Sequence, residues 1–320
     1  MTNKEKYIQF CEQNDFVPIF SQSWWMDAVC IDGYWDVLLY EKNEEILGAL
    51  PYYMKKKFGL SYITQPEFTQ NSGVIIKYPE GQKYEKKLSY EKEVITALIV
   101  QLEKLPIVFY QQSFDYKYTN WLPFYWKNYR QTTHYTYMFN DLKIKDENEL
   151  LKTYSEDKRK NIRRAIKKGF RVVNDVSIDL FYKFHIDCLA FLNQKISYSH
   201  QLLSNIISFS QQHDVGKIIA IKDCSDKLLA ITFIVWDKTC VYGINTAIFH
   251  GEGEAGALLF HEALKFAWSR ELFFNMGGSM IEEVENAYRR FNTIQIPYFF
   301  INKILTRNPF LQILLKCKLG

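Results

Sequence analysis

Two stretches of this 320-residue chain combine residue types and spacings that could do chemistry. The first runs His250-Gly251-Glu252-Gly253-Glu254-Ala255-Gly256, between a β-branched run and an apolar-periodic one. Backbone N–H groups at a helix N-terminus there could hold an anion. Gly251, Gly253 and Gly256 match G-x-G-x-x-G, the dinucleotide fingerprint, but that site needs an acidic residue at the end of the next strand. This strand ends in Phe274 and Asn275, and the chain past Met276 is too short for the second half of a doubly wound sheet. A nicotinamide site is therefore rejected, and a glycine-rich strand-to-helix turn without a ligand stays open. The second stretch is Ser155–Gly169, the most charged in the chain. Ser155 suits an N-cap, Glu156 and Asp157 a first turn, and Gly169 the position after the C-cap, so a helix is expected over 155–168. Ile162, Ala165 and Ile166 should form its buried stripe, while Arg159, Arg163 and Lys167 recur at i, i+4 and share a face sized for phosphate. A solvated surface face would read the same way.

Other chemistry finds little support. The six histidines lack metal-ligand spacing, and His185 with Asp187 and Cys188 cannot share a helical face, so no metal is expected. Gly278-Ser279 is not followed by x-Gly, which removes a nucleophile elbow. Cysteines 11, 30, 188, 224, 240 and 317 are irregularly spaced and read as reduced, packed thiols. The aromatics of the first half, among them Trp24, Trp35, Trp121 and Trp126, could stack on a sugar or base, and core packing explains them equally well. A net charge of +4 gives no global nucleic-acid signature, so no DNA partner is expected. The composition, 48% hydrophobic and 24% charged, excludes a disordered, collagen-like or coiled-coil chain. With no export signal at the start and no apolar run long enough to span a bilayer, the expected location is cytoplasmic.

The elements that must position these residues follow from periodicity. Residues 20–140 are strand-rich, with short runs at Val37–Tyr40, Ile46–Tyr53, Val74–Ile76 and Ile107–Tyr110, and helices at Ser23–Val29 and Glu91–Leu105. The polar segment Asp141–Lys152 suggests a boundary, giving domains over 1–145 and 146–302 and a tail over 303–320. The second half reads as a strand near 170–174, helices over 178–193 and 201–212, and consecutive strands at Lys217–Lys222, Leu228–Asp237 and Cys240–Ile248. A helix from Gly256 to Arg270, a strand at Leu272–Asn275, a short helix over 282–291 and a strand at Pro297–Ile301 complete it.

The motif Lys158-Arg159-x-Asn161-Ile162-Arg163-x-Ala165, ending in Gly169, resembles the one that opens the second domain of FemAB-like transferases, also called BioF2-like. Phe20-Ser-Gln-Ser-Trp24, Leu47-Gly-Ala-Leu-Pro51 with Lys55-Lys56-Lys57, Pro66-Glu-Phe-Thr-Gln70, Gly277-Gly-Ser279 and Arg290-Phe291 fall in the same order, so the likeness spans nearly the whole chain. The loop with His250, Gly253 and Ala255 likewise resembles the acyl-coenzyme A loop of GNAT acetyltransferases, with His in place of Gln or Arg.

The resemblance implies an α/β (α+β) chain of two tandem GNAT-like domains, each a mixed, mostly antiparallel sheet flanked by helices. It implies an N-acyltransferase that moves an acyl group from acyl-CoA to the amine of a small or cell-envelope precursor, without a covalent enzyme intermediate. Arg159 and Arg163 would then bind acceptor phosphates, with Lys55, Lys56 and Lys57 in support. His250, Gly251, Gly253, Ala255 and Gly256 would cradle the donor's pyrophosphate. Fem-type members carry Phe-Lys-x-x-Phe-Gly-Ala before the last strand, where this chain has Ala287-Tyr-Arg-Arg-Phe-Asn-Thr293. Tyr288 replaces the lysine and resembles the GNAT general acid, and Arg289 or Arg290 could support the oxyanion. The alternatives are an aminoacyl-tRNA-dependent peptidoglycan bridge enzyme, with tRNA as partner, and a non-catalytic binding protein on the same scaffold. The tail mixes Ile304, Leu305, Phe310 and Ile313 with Lys303, Arg307, Lys316 and Lys318, which suits peripheral contact with a lipid surface or a terminal helix docked on the core.

Overall fold

Local chemistry starts the chain in a helix: Thr2 accepts from the Glu5 N–H while Glu5 accepts from the Thr2 N–H, a reciprocal cap for α1 (Asn3–Gln13). The computed structural model describes residues 1–278 and 280–319, without the side chains of 314 and 316–319. The elements that follow are α2 (Ser23–Val29), β1 (Tyr34–Lys42), β2 (Glu45–Lys57), β3 (Leu60–Thr64), β4 (Ile75–Ile76), α3 (Tyr84–Leu102), β5 (Phe109–Ser113), α4 (Leu122–Trp126) and β6 (Arg130–Phe139). Then come α5 (Glu147–Thr153), α6 (Glu156–Lys167), β7 (Arg171–Val173), α7 (Ile178–Phe191), α8 (His200–Gln212), β8 (Gly216–Lys222), β9 (Leu228–Trp236) and β10 (Cys240–Ile248). The last are α9 (Gly253–Trp268), β11 (Phe273–Gly278), α10 (Glu282–Tyr288) with a 3-10 turn over Arg289–Phe291, β12 (Ile294–Ile304) and α11 (Pro309–Leu319).

The chain divides into two units, Met1–His134 with Pro297–Gly320, and Tyr135–Ile296. The expected boundaries at 145/146 and 302/303 rest on the polar run after Asp141, which carries no apolar period. In the fold that run contains α5, whose Leu150 is fully buried.

The first unit has strand order β1-β2-β3-β5-β12, with β4 also on β2. β1 and β2 are antiparallel, with a bulge between Tyr40 and Glu41; β3 and β5 are parallel. Val94, Ile95, Leu98, Ile99 and Leu102 of α3 pack on Leu50, Ile63 and Tyr110, the period-3.6 stripe meeting the period-2 face. The helix starts at Tyr84, earlier than the apolar stripe indicates, since its first turns are polar. Ser23 does not cap α2: Gln22 holds the cap position and Ser23 is buried.

The second unit has order β6-β11-β10-β9-β8-β7. Its strands are antiparallel except β10 and β11, which run parallel. Ile219 and Ile221 of β8, Ala230 and Ile234 of β9 and Val241 of β10 meet α6 and α9 in one core. α7 packs on β10 and α8 on β8. Each unit is thus a mixed, mostly antiparallel sheet flanked by helices. No helix among the described residues is long and apolar enough to cross a membrane. The expected 303–320 tail begins within β12, where Lys303 bonds Glu103 and the Lys127 carbonyl, both at 2.6 Å. The side chains of Lys316 and Lys318 and the structure of Ser279 lie outside the described residues.

Candidate functional site

The second unit gathers most of the expected site residues around α9. Its N-cap, Glu252, makes no side-chain cap bond. The first intrahelical bond runs from the Gly256 N–H to the Glu252 carbonyl at 3.0 Å. The N–H groups of Gly253, Glu254 and Ala255 therefore precede the helical ladder and point out of the helix start, as an anion-binding terminus requires. Gly251 sits at φ +83°, and neither Gly251 nor Gly253 has a neighbouring atom within 4 Å of where a Cβ would stand. The loop is open on that side. Gly256 plays a different part from the one expected: its N–H is committed, and a Cβ there would come within 2.8 Å of Ile248 Cδ1. It lets α9 lie close on β10. Ala255 is buried in the core, so only its N–H faces the loop. His250 is exposed and stacks on Phe191, ring centroids 4.4 Å apart.

The basic helix α6 meets the start of α9 at its C-terminal end and the 3-10 turn after α10 at its N-terminal end. Gly169 at φ +74° closes α6 with N–H bonds from Gly169 to Ile166 and from Phe170 to Ala165, at 3.0 and 3.1 Å. That is the Schellman arrangement, and it needs a left-handed residue. The closure leaves Lys168 paired with Glu254 in the first turn of α9. One of the two acidic side chains that would repel a pyrophosphate is thereby met by a cation. At the other end Arg290 Nη1 lies 2.9 Å from Asp157 Oδ2, and the Ser155 N–H bonds the Arg290 carbonyl at 3.0 Å. Ser155 occupies the N-cap position, but its hydroxyl donates to Asp157 rather than capping a backbone N–H.

On α6 the buried stripe is Ile162 and Ala165 alone; Ile166 is 61% exposed, a correction to the expected stripe. Ile166 falls one step round the helix, on the rim of the basic face. Arg159 and Arg163 make no ion pair or hydrogen bond among the described residues, so their guanidinium groups remain available. Lys158 is different: its ammonium lies over the Phe291 ring at 5.1 Å, and burial lowers its pKa.

Tyr288 ends α10 against Phe260 of α9 and Tyr137 of β6, at 5.7 and 5.9 Å between centroids. Burial pushes its phenol up to about 12, so it stays protonated and able to donate at neutral pH. Arg289 is exposed and holds Asn286 at 2.6 Å and Glu285 at 3.5 Å. Both arginines of this pair are thus engaged by acidic or amide groups. Lys55, Lys56 and Lys57 belong to the first unit, on the last residues of β2.

The parallel register of β10 and β11 covers only Cys240–Tyr242 against Phe273–Asn275. β10 then shifts register against β9 between Gly243 and Asn245. Just past that point lies a polar cluster with no local signal in the sequence. Tyr198 O–H is 2.6 Å from His185 Nδ1, and Asn245 Nδ2 donates to the same oxygen at 2.6 Å. Burial lowers the His185 pKa and raises that of Tyr198 to about 12, so both are neutral near pH 7. Helical spacing around His185 carries no sign of this cluster, because its partner Tyr198 comes from a loop and the Asn245 that shares that hydroxyl from a distant strand.

A buried histidine, His261 of α9, faces Glu147 Oε1 at 3.1 Å and the Tyr154 hydroxyl at 3.3 Å. Glu147, His261 and Glu262 have ligand atoms within 4.8 Å of one another. Lys265 already sits among them, 2.8 Å from Glu147, and supplies the positive charge a metal would bring.

No family model matches the sequence, and no curated protein matches it. Solved structures do. FemX superposes with a TM-score of 0.70 at 11% identity, covering 98% of both chains. The chain shares the tandem GNAT fold. A tandem GNAT protein from the clavulanic acid biosynthesis pathway, solved without AcCoA, matches over 96% of both chains at TM-score 0.58 and 8% identity. L-PGS from Bacillus licheniformis matches at TM-score 0.54 and 11% identity, over 98% of this chain and 96% of that one. Within the tandem GNAT fold described here, the loop before α9, the basic face of α6 and Tyr288 all belong to the second unit.

Proposed function

We propose that this chain is an N-acyltransferase that moves an acyl group from acyl-CoA to the amine of a small or envelope-precursor acceptor by direct attack. The observation that carries the reading is the start of α9: three N–H groups outside the helical ladder, beside an open loop at Gly251 and Gly253 and the cationic end of α6. A diphosphate fits that chemistry. The likeness in fold to FemX and to a tandem GNAT protein supports the class.

In this reading the Gly253, Glu254 and Ala255 N–H groups hold the donor's pyrophosphate, with Lys168 offsetting Glu254. Gly251 keeps the loop open, and His250, stacked on Phe191, forms its outer wall. The acceptor amine adds to the thioester carbonyl and loses a proton to solvent, and the intermediate collapses to an amide and a thiolate. Tyr288, held protonated by burial, gives that thiolate its proton. Arg289 and Arg290 add positive charge near the oxyanion on exchanging Glu285 and Asp157 for substrate. Arg159 and Arg163, unpaired and four residues apart, take the acceptor's phosphates as bidentate ligands.

Titration calorimetry with acetyl-CoA tests the donor. Gly253→Trp has room at the Cβ and should fold normally, yet it should abolish acetyl-CoA binding. Undiminished binding by this variant would remove the loop from the donor site. Binding of charged tRNA but of no CoA thioester by the wild-type protein would replace the donor with an aminoacyl-tRNA.

A further inference from the structure

We propose that the tip of the β2–β3 hairpin is a contact site for a bilayer surface carrying anionic phospholipid. β2 and β3 stay in register to Lys57 and Leu60, so Phe58 and Gly59 alone make the turn. Both have positive φ, +51° and +77°, the backbone of a two-residue type I′ turn. Asn, Asp or Gly suits the first of these positions; an aromatic residue there is strained and buries nothing in the fold. Phe58 is 92% exposed, the most exposed large hydrophobic side chain among the described residues. The Lys57 ammonium lies 5.5 Å from the centroid of its ring.

The three residues before the turn are Lys55, Lys56 and Lys57. Side chains alternate along a strand, so Lys55 and Lys57 lie on one face of the hairpin and Lys56 on the other. Lys55 has Asp32 at 3.9 Å, whereas Lys56 and Lys57 have no acidic partner among the described residues. Three ammonium groups spread over two faces cannot converge on a single phosphate. They can each meet a separate headgroup if the tip stands in a plane of phosphates, with the ring between them reaching the acyl boundary. An apolar tip within a basic collar is complementary to an anionic lipid surface and to no single small anion.

Vesicle co-sedimentation of the full chain tests this, with phosphatidylcholine alone and with phosphatidylcholine mixed with phosphatidylglycerol. The wild-type protein should bind the anionic vesicles, and added salt should weaken the binding. Phe58→Asn removes the ring while supplying a residue the turn prefers, so its Tm should be no lower than wild type while its vesicle affinity drops about tenfold. Lys56→Gln/Lys57→Gln should cut anionic-vesicle affinity by a similar factor and flatten its salt dependence. Equal vesicle binding by wild type and Phe58→Asn would overturn the proposal, as would failure of the wild type to bind anionic vesicles. Loss of charged-tRNA binding in the lysine variant, with vesicle binding intact, would assign the collar to nucleic acid and overturn it too.

Discussion

The two densest runs of positive charge in this chain, α6 and the end of β2, put similar residues to different use because their backbones repeat differently. On α6 the period of 3.6 brings Arg159 and Arg163 onto one face, and the Schellman closure at Gly169 delivers Lys168 to the start of α9. Charge converges there, as a phosphate ligand needs. On β2 the period of two sends Lys55 and Lys57 to one side and Lys56 to the other, around an exposed ring. Charge diverges there, as a surface contact needs. Counting basic residues does not separate the two; the repeat of the backbone does.

The sharpest way to break this contrast is at the proposed chemistry beside α6. Tyr288→Phe keeps the ring packed on Phe260 and removes only the hydroxyl, and the rate constant of acyl transfer should fall by about 100-fold or more at unchanged Tm. A single-turnover assay with a rate equal to wild type would leave Tyr288 a packed aromatic. Next, Arg159→Ala/Arg163→Ala should raise KM for a phosphorylated acceptor by roughly 10- to 100-fold, the loss of one or two charge-assisted bonds. Lys56→Gln/Lys57→Gln should leave that KM unchanged. If both pairs raise it equally, converging and diverging charge are not distinguished by this protein.

Two smaller effects concern the frame that holds α6 and α9. His261 is buried and its pKa is lowered by desolvation, in spite of Glu147 beside it. The unfolded chain therefore takes up a proton near pH 6.5 that the folded chain refuses, so stability is full above that pH and is lost as pH falls below it. Denaturant titrations should show a slope of up to about 1.4 kcal/mol per pH unit in that window, and His261→Gln should reduce it. His185 and His134 are shifted the same way and will keep part of the slope. Last, Gly169→Ala has free space for the methyl group but the wrong φ, and should cost about 1 kcal/mol in a chemical melt. A neutral result would mean that the end of α6 is not held in its closing turn.

Most elements of the second unit were legible because their signals are local. The Glu-Asp start and Gly169 stop of α6, the apolar runs of β8, β9 and β10, and the short helix ahead of β12 all sit close to where pattern and capping put them. Other elements carried no such signal. β3 and β6 are half-buried strands of mixed polar and aromatic residues without clean alternation, and α5 has a single buried residue. Ile166 was misplaced because two adjacent apolar residues on a helix point about 100° apart, and only the neighbour at α9 decides which is covered.

The same distinction separates what each level of description determined about the site. Residue type and spacing alone determined that α6 is a basic helix, that a glycine-rich turn leads into α9, and that Tyr288 lies in a short helix ahead of β12 with two arginines behind it. These depend on neighbours within a few residues, where helical geometry is nearly universal. Only the tertiary structure decided that Lys168 answers Glu254, that Arg290 is spent on Asp157, and that the Tyr198 hydroxyl links His185 to Asn245. It also decided that Gly256 serves packing while Gly251 and Gly253 stand open. Those outcomes join groups far apart in the chain, and their pairing depends on how sheets and helices stack, which no local period records.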